Sequence, residues 1–305
     1  MPLPSIRFGL MTDVHYDIMP NASARLEDFI QEMVNEDVDF IVQLGDFCHP
    51  TQENKPFLQV WNQFKGPRYH VLGNHDMDRN DKQTMMDYLG MQSSYYSFDQ
   101  GEFHFVVLDG NYLKRGDQYV DYDHANYGRY PHLVDHISSE QLEWLRKDLR
   151  ETKKHTIIFS HQNLDDSELG LKNGSELREI FRIANEAAGY QKVVACFNGH
   201  NHLDGVKVID SIYYIHVNSM SYYYMGEEYD VIRYSEEVTA KYPILAKSAP
   251  YEDALYAVVT IGAGLITISG RESQYVGPSP RACGHPNMAG GHEVSARISS
   301  RQLHY

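Results

Sequence analysis

Five separate apolar runs in this chain end in the same kind of residue, aspartate, asparagine or histidine, and no other feature limits the fold so strongly. Arg7–Met11, Phe40–Leu44, Arg68–Leu72, Thr156–Phe159 and Val193–Phe197 are short, rich in β-branched and aromatic residues, and bounded by polar punctuation, as buried strands are. Phe103–Leu108 reads the same way. The first run opens into Thr12-Asp13-Val14-His15, the second into Gly45-Asp46-Phe47-Cys48, and the third into Gly73-Asn74-His75-Asp76. Thr156–Phe159 ends in Ser160-His161, and Val193–Phe197 in Asn198-Gly199-His200-Asn201-His202.

Helix-like segments lie between these runs. Leu26, Phe29, Ile30, Met33 and Val34 recur at helical spacing, with Ser23 expected as the cap. Ser138 and Gln141 have capping-box spacing ahead of a Leu142, Leu145, Leu149 stripe. Leu177, Ile180, Phe181 and Ala184 form a third face, which Gly189 is suited to terminate. Strand–helix alternation predicts an α/β fold with largely parallel inner strands. Parallel strands bring their C-terminal ends to one edge, where sites are built. The polar clusters should therefore meet, as a set of oxygen and imidazole donors suited to two metal ions.

The last third reads as a β-rich meander (206–219, 256–263 and 264–270), from which a second sheet is expected. The simplest organisation is a single domain over 1–276, with a variable Tyr-rich lid or insert at 111–137. A Pro/Gly/Ser-rich tail at 277–305 is expected to wrap the surface or to move.

Composition narrows the function. A net charge of −15 over 305 residues argues against a generic partner of nucleic-acid polymers or anionic membranes. An anionic substrate would then need local positive charge, which a bound cation supplies. No apolar run reaches the roughly 18 residues of a membrane span. Cys48, Cys196 and Cys283 are too few and too scattered for a disulfide framework, and the N-terminus lacks a signal-peptide pattern. A cytoplasmic protein is expected, or a secreted or periplasmic one if a leader has been removed.

The ordered set DxH, GD, GNHD, H and GHxH resembles the signature of the calcineurin-like metallophosphoesterase superfamily, over roughly the first two thirds of the chain. The resemblance implies a four-layer α/β–β/α sandwich of two mixed sheets, with a dinuclear metal site at the strand C-terminal edge. By position, it implies that Asp13, His15 and His202 hold one metal, that Asn74, His161 and His200 hold the other, and that Asp46 bridges them. A metal-bridging hydroxide would attack phosphorus, His75 would protonate the leaving group, and Asp76 would orient the His75 ring. One departure is the absence of the proline that many members carry after the His161 position; here the chain reads His161-Gln162-Asn163.

The segment around Ser138 and the DVHY start look similar to the subgroup that cleaves cyclic nucleotides and nucleotide diphosphate esters, including manganese-dependent ADP-ribose/CDP-alcohol diphosphatases. A small phosphodiester or nucleotide-type pyrophosphate is therefore the expected substrate, with two Mn, Fe or Zn ions as cofactors. A broad phosphomonoesterase and a non-catalytic scaffold are the competing readings. Tyr112, Arg129 and Tyr222 are candidate substrate contacts, for stacking or for meeting a phosphate. Asp109 is expected to anchor a loop, and Cys48 to pack rather than ligate. Cys283, His285 and His292 fit no standard zinc spacing.

Overall fold

The computed structural model describes residues 5–165, 169–262 and 264–305. Two six-stranded mixed sheets face each other. The first has the order β18-β15-β14-β1-β2-β3: Arg301–His304, Leu265–Ser269, Ala257–Gly262, Ile6–Met11, Phe40–Gln43 and Arg68–His70. The second has the order β10-β11-β9-β8-β5-β4: Gly205–Ile209, Ile212–His216, Val193–Asn198, His155–Ser160, Phe103–Val107 and Tyr96–Gln100. In the first sheet β1, β2 and β3 run parallel; in the second, β5, β8, β9 and β11 do. Among the described residues, three two-stranded ribbons complete the β structure: β6–β7 (Tyr112–Arg115, Gln118–Asp121), β12–β13 (Tyr222–Tyr224, Ser248–Pro250) and β16–β17 (Met288–Ala289, His292–Glu293).

Side chains alternate across each sheet, which builds four layers. Phe8, Leu10, Phe40 and Val42 meet Phe105, Ile157, Phe159 and Phe197 in the core between the sheets. Met11 and Ile41 point the other way, onto helices α1 (Ala22–Asn35) and α2 (Lys55–Trp61). Val106, Ile158 and Cys196 likewise face outward, onto α5 (Ser139–Glu151) and α6 (Gly174–Ala188). This is the expected α/β–β/α sandwich. α3 (Lys82–Leu89) packs with the Tyr-rich insert, which carries β6, β7 and the short α4 (Asn126–Arg129).

Local signals held at some ends and not at others. Ser138 caps α5 by accepting the Gln141 N–H at 3.2 Å. Gln141 does not reach back to complete a capping box; its side chain pairs with both backbone groups of Asp109. Gly189 ends α6 with φ 72°. Ser23 is not the α1 cap, because the helix already begins at Ala22, with Asn21 as cap residue. Among the described residues, the C-terminal meander forms no sheet of its own. The β10–β11 hairpin extends the second sheet, and β14–β15 extends the first. The final stretch packs onto the sandwich: β18 pairs with β15, and Val294, Ala296 and Ile298 enter the central core. Among the described residues, no helix is long and apolar enough to cross a membrane.

Candidate metal centre

The C-terminal ends of β1, β2, β3, β8 and β9 converge, and backbone hydrogen bonds tie the loops that follow them. Asp13 N–H donates to Gly45 O at 3.0 Å, His15 N–H to Asp46 O at 3.0 Å, and Gly199 N–H to His161 O at 3.0 Å. Five of the expected ligands take left-handed backbone conformations: Asp13 (φ 51°), His15 (φ 49°), Asp46 (φ 53°), His200 (φ 69°) and His202 (φ 52°). Non-glycine residues adopt this region at a cost, and such strain concentrates at functional sites. Glycines beside them permit the close approach; a Cβ on Gly199 would lie 2.4 Å from Asp13 Oδ2.

Two groups of donors result, Asp13, His15 and His202 in one and Asp46, His161 and His200 in the other. In each carboxylate one oxygen is anchored and the other is presented. Asp13 Oδ2 accepts from Thr12 Oγ1 at 2.5 Å and His200 N–H at 3.0 Å, while the buried Oδ1 has no hydrogen-bond donor. Oδ1 lies 3.2 Å from His202 Nε2. Asp46 Oδ1 accepts the His75 N–H at 2.8 Å. Asp46 Oδ2 sits 3.3 Å from His161 Nε2 and 3.6 Å from His15 Nε2, between the two groups.

The imidazoles are oriented in the same way. His161 Nδ1–H donates to Leu44 O at 2.8 Å, and His202 Nδ1–H to Tyr222 O at 2.8 Å. A carbonyl can only accept, so Nδ1 carries a proton in both rings and Nε2 is the atom turned toward the other donors. His202 Nε2 faces His15 Nε2 at 3.2 Å, and His161 Nε2 faces His200 Nδ1 and Asn74 Oδ1, each at 3.1 Å. Nitrogen and oxygen donors about 2.0–2.2 Å from one cation are held about 3.0–3.5 Å apart. The donor spacing and the orphaned Asp13 oxygen thus fit bound cations.

Charge reinforces this. Burial alone would raise the Asp13 carboxyl, but His202 and His161 hold it at about 2. Burial drives His15 down to about 3, and burial together with His161 takes His200 to about 4, so both imidazoles stay neutral. Burial also opposes charge on His161, yet Asp46 and Asp13 lift it to about 10. A cation at His161 would therefore displace a proton.

His75 and Asp76 separate in role. Asp76 does not touch the His75 ring. Its carboxylate accepts backbone N–H groups from Phe47 (2.7 Å), Gly73 (2.8 Å) and Asp46 (3.2 Å), pinning the β2 and β3 loops together. The partner of His75 is Asp78, whose Oδ2 lies 2.8 Å from Nδ1. Tyr127 Oη, from α4, donates to Asp78 Oδ1 and lies 3.0 Å from His75 Nδ1. Partial burial opposes charge on His75, but Asp46 and Asp78 raise it to about 9. Asp78 follows His75 by three residues on one tight turn, a spacing visible in GNHDMD; no local signal identified Tyr127.

A cavity of about 690 Å³ opens beside these donors and is lined by His15, Asp46, His75, His200, His202 and Tyr222, among others. The Tyr222 ring packs 4.8 Å from His202 and 5.1 Å from His15. The other two expected substrate contacts are elsewhere. Tyr112 lies under Lys82, 3.5 Å from ring centre to Nζ, and Arg129 is solvent-exposed outside the cavity lining. The insert uses Lys82 as its anchor, since the same ammonium pairs with buried Asp109 and with Asp121 at 2.7 Å each.

The sequence model for calcineurin-like phosphoesterases matches residues 6–204. The chain belongs to this family. It is accordingly a phosphoric ester hydrolase. Two curated relatives are named manganese-dependent ADP-ribose/CDP-alcohol diphosphatase. The protein from Oryza sativa subsp. japonica is 24% identical over 263 residues, covering 67% of this chain and 80% of its own. That from Arabidopsis thaliana is 23% identical over 258 residues, covering 66% and 81%. Among solved structures, a dimetal phosphatase from Danio rerio shares the fold, with a TM-score of 0.63 at 17% identity over 90% of this chain and 99% of that one. The β1, β2, β3, β8 and β9 ends that gather the donors all lie within the span matched to the calcineurin-like family.

Proposed function

We propose that this calcineurin-like phosphoesterase hydrolyses a small phosphodiester or nucleotide-type pyrophosphate, using two cations at Asp13, His15, Asp46, Asn74, His161, His200 and His202. The observation that carries the reading is the convergence of presented donors: Asp13 Oδ1, Asp46 Oδ2, His161 Nε2 and His202 Nε2 all face one another, each with its other polar atom already anchored. Oxygen and imidazole donors suit Mn, Fe or Zn, and the named relatives point to manganese. Bound there, two cations would neutralise phosphoryl charge and lower the pKa of an attacking water.

The chain's own groups do the rest. Asp46 sits between the two donor groups and sets their spacing. His75 lines the cavity with Nδ1 held by Asp78 and Tyr127, which leaves Nε2 to deliver a proton to the departing oxygen. Burial and the Asp78 carboxylate keep the Tyr127 phenol protonated, so it acts as a hydrogen-bond donor in this clamp. The three cysteines are unpaired, which suits a reducing compartment such as the cytoplasm.

The test pairs elemental analysis with leaving-group dependence. About two Mn per chain are expected, with faster turnover of bis-p-nitrophenyl phosphate than of p-nitrophenyl phosphate. His75→Ala should retain the metal and lose roughly 10²–10⁴-fold in rate on esters with poor leaving groups, and much less on nitrophenyl esters. An unchanged preference between alkyl and nitrophenyl esters in that variant would remove the acid role. A folded, metal-loaded protein inert toward every ester would remove the hydrolase reading.

A further inference from the structure

The far wall of the cavity beside the donors is built differently from its floor. It is formed by Leu169, Leu203, Tyr224, Ile244 and Ala289, drawn from five separate segments of the chain. No lysine or arginine is among the described residues that line the cavity, and its carboxylates, Asp46 and Asp78, lie on the donor side. Leu169 and Tyr224 are 39% and 40% exposed, two large apolar side chains left facing water at one opening. A cavity of this size, apolar on one side with polar groups converging on the other, is how a small organic molecule is usually held.

The wall includes the end of the chain. β16 and β17 form a two-residue hairpin with Ala289 opposite His292, and Gly290 and Gly291 make the turn at φ 55° and 82°. A Cβ on Gly290 would lie 2.4 Å from Leu169 Cδ1, so the hairpin tip rests directly on the mouth residue. The hairpin is fixed from behind as well: His292 packs so close to Gly205 that a Cβ there would lie 2.0 Å from its Nδ1. The C-terminal segment is thus a structural wall of the cavity.

We propose that this wall is a subsite for a neutral apolar or aromatic ester group, and that the preferred substrate is a phosphodiester bearing a single negative charge. This rests on the hydrolase reading and narrows it. The phosphoryl charge would be met at the donor side. A second phosphate would extend into a space whose described lining offers it no fixed ammonium or guanidinium. An uncharged ring would instead cover Tyr224, Ile244 and Leu169. A nucleotide pyrophosphate, the substrate type in the relatives' names, is then the poorer fit.

Binding and turnover are measured on the full, Mn-loaded chain. By calorimetry, diphenyl phosphate should bind at least tenfold more tightly than dimethyl phosphate. In turnover, phenyl p-nitrophenyl phosphate should exceed both methyl p-nitrophenyl phosphate and ADP-ribose in kcat/KM by at least tenfold. Tyr224→Ala, at an exposed position, should shrink the phenyl preference severalfold. Ile244→Lys should raise the ADP-ribose rate relative to the phenyl diester. Equal binding of the two diesters, or ADP-ribose preferred over the phenyl diester by the unmodified chain, would overturn the subsite. Loss of turnover for every compound alongside selective diphenyl phosphate binding would overturn the hydrolase reading and leave the subsite standing.

Discussion

Gly73 offers a steric test of how far the donor geometry depends on close packing. Its φ is not in the left-handed region, so its backbone conformation accommodates alanine. The space around it does not: a Cβ there would lie 2.2 Å from Asp46 N and 2.2 Å from Asp46 Oδ1. Non-bonded heavy atoms settle at about 3.5 Å, so Gly73→Ala must part the β2 and β3 loops by about 1 Å. Asp46 then moves relative to His161 and His15, and the Asp76 carboxylate loses one or more of its three backbone donors. Misplacing a positioned group by about 1 Å costs about 100-fold in rate, or about 2.7 kcal/mol at 1.36 kcal/mol per decade. The overpacking itself should cost about 1–3 kcal/mol of folding stability. The assay is kcat/KM on bis-p-nitrophenyl phosphate with metal counted per chain, and urea unfolding as the folding control. Gly128→Ala is the companion variant, since a Cβ there meets nothing within 4 Å and φ is ordinary; it should leave all three readouts unchanged. A Gly73→Ala protein with two cations per chain and kcat/KM within about threefold of the parent would refute the geometric argument.

Two further predictions concern single side chains. Asp46→Asn removes the charge between the donor groups and should lose at least one cation per chain by elemental analysis, along with nearly all turnover. His104 bridges Asp99 at 2.7 Å and Asp148 at 2.8 Å, and these carboxylates raise its pKa although burial opposes the charge. With the folded pKa above the unfolded value of about 6.5, its contribution is fully present below about pH 6.5 and is lost as pH rises through the raised folded pKa. The urea midpoint should therefore fall more between pH 6 and pH 9 in the parent than in His104→Gln, and parallel curves would sink the argument.

The architecture was legible because the parallel strands are buried on both faces and read as continuous apolar runs. Phe40–Gln43, for example, is wholly buried, with alternate residues feeding different cores. Less legible was which sheet each strand pair of the C-terminal third joins. Strand pattern alone does not say which sheet a hairpin joins, and register depends on long-range partners such as Gly9 opposite Val258. The Gly290-Gly291 turn between two short extended pairs carried a hairpin signal that was readable in principle. The role of that hairpin as a cavity wall depends on Leu169 and Gly205, far away in sequence.

The same division explains the site. Donors placed by the ends of parallel strands were visible, since topology alone gathers those ends. Residues that arrive from insertions were not. Tyr127 reaches Asp78 only because Lys82, Asp109 and Asp121 anchor the insert, whereas Tyr112 and Arg129 sit in the same insert and face elsewhere. Composition could nominate the tyrosines but could not rank them. Asp76 was misassigned for a related reason: adjacency to His75 suggested a side-chain partner, but the tight turn points residue 76 inward to backbone amides and brings residue 78 round to the ring. Five left-handed residues of the donor groups are tolerated because loops cross-linked by Asp76 and by backbone hydrogen bonds leave the chain no relaxed alternative. The strain and the donor geometry thus have one origin, which is why a single methyl group at Gly73 should disturb both.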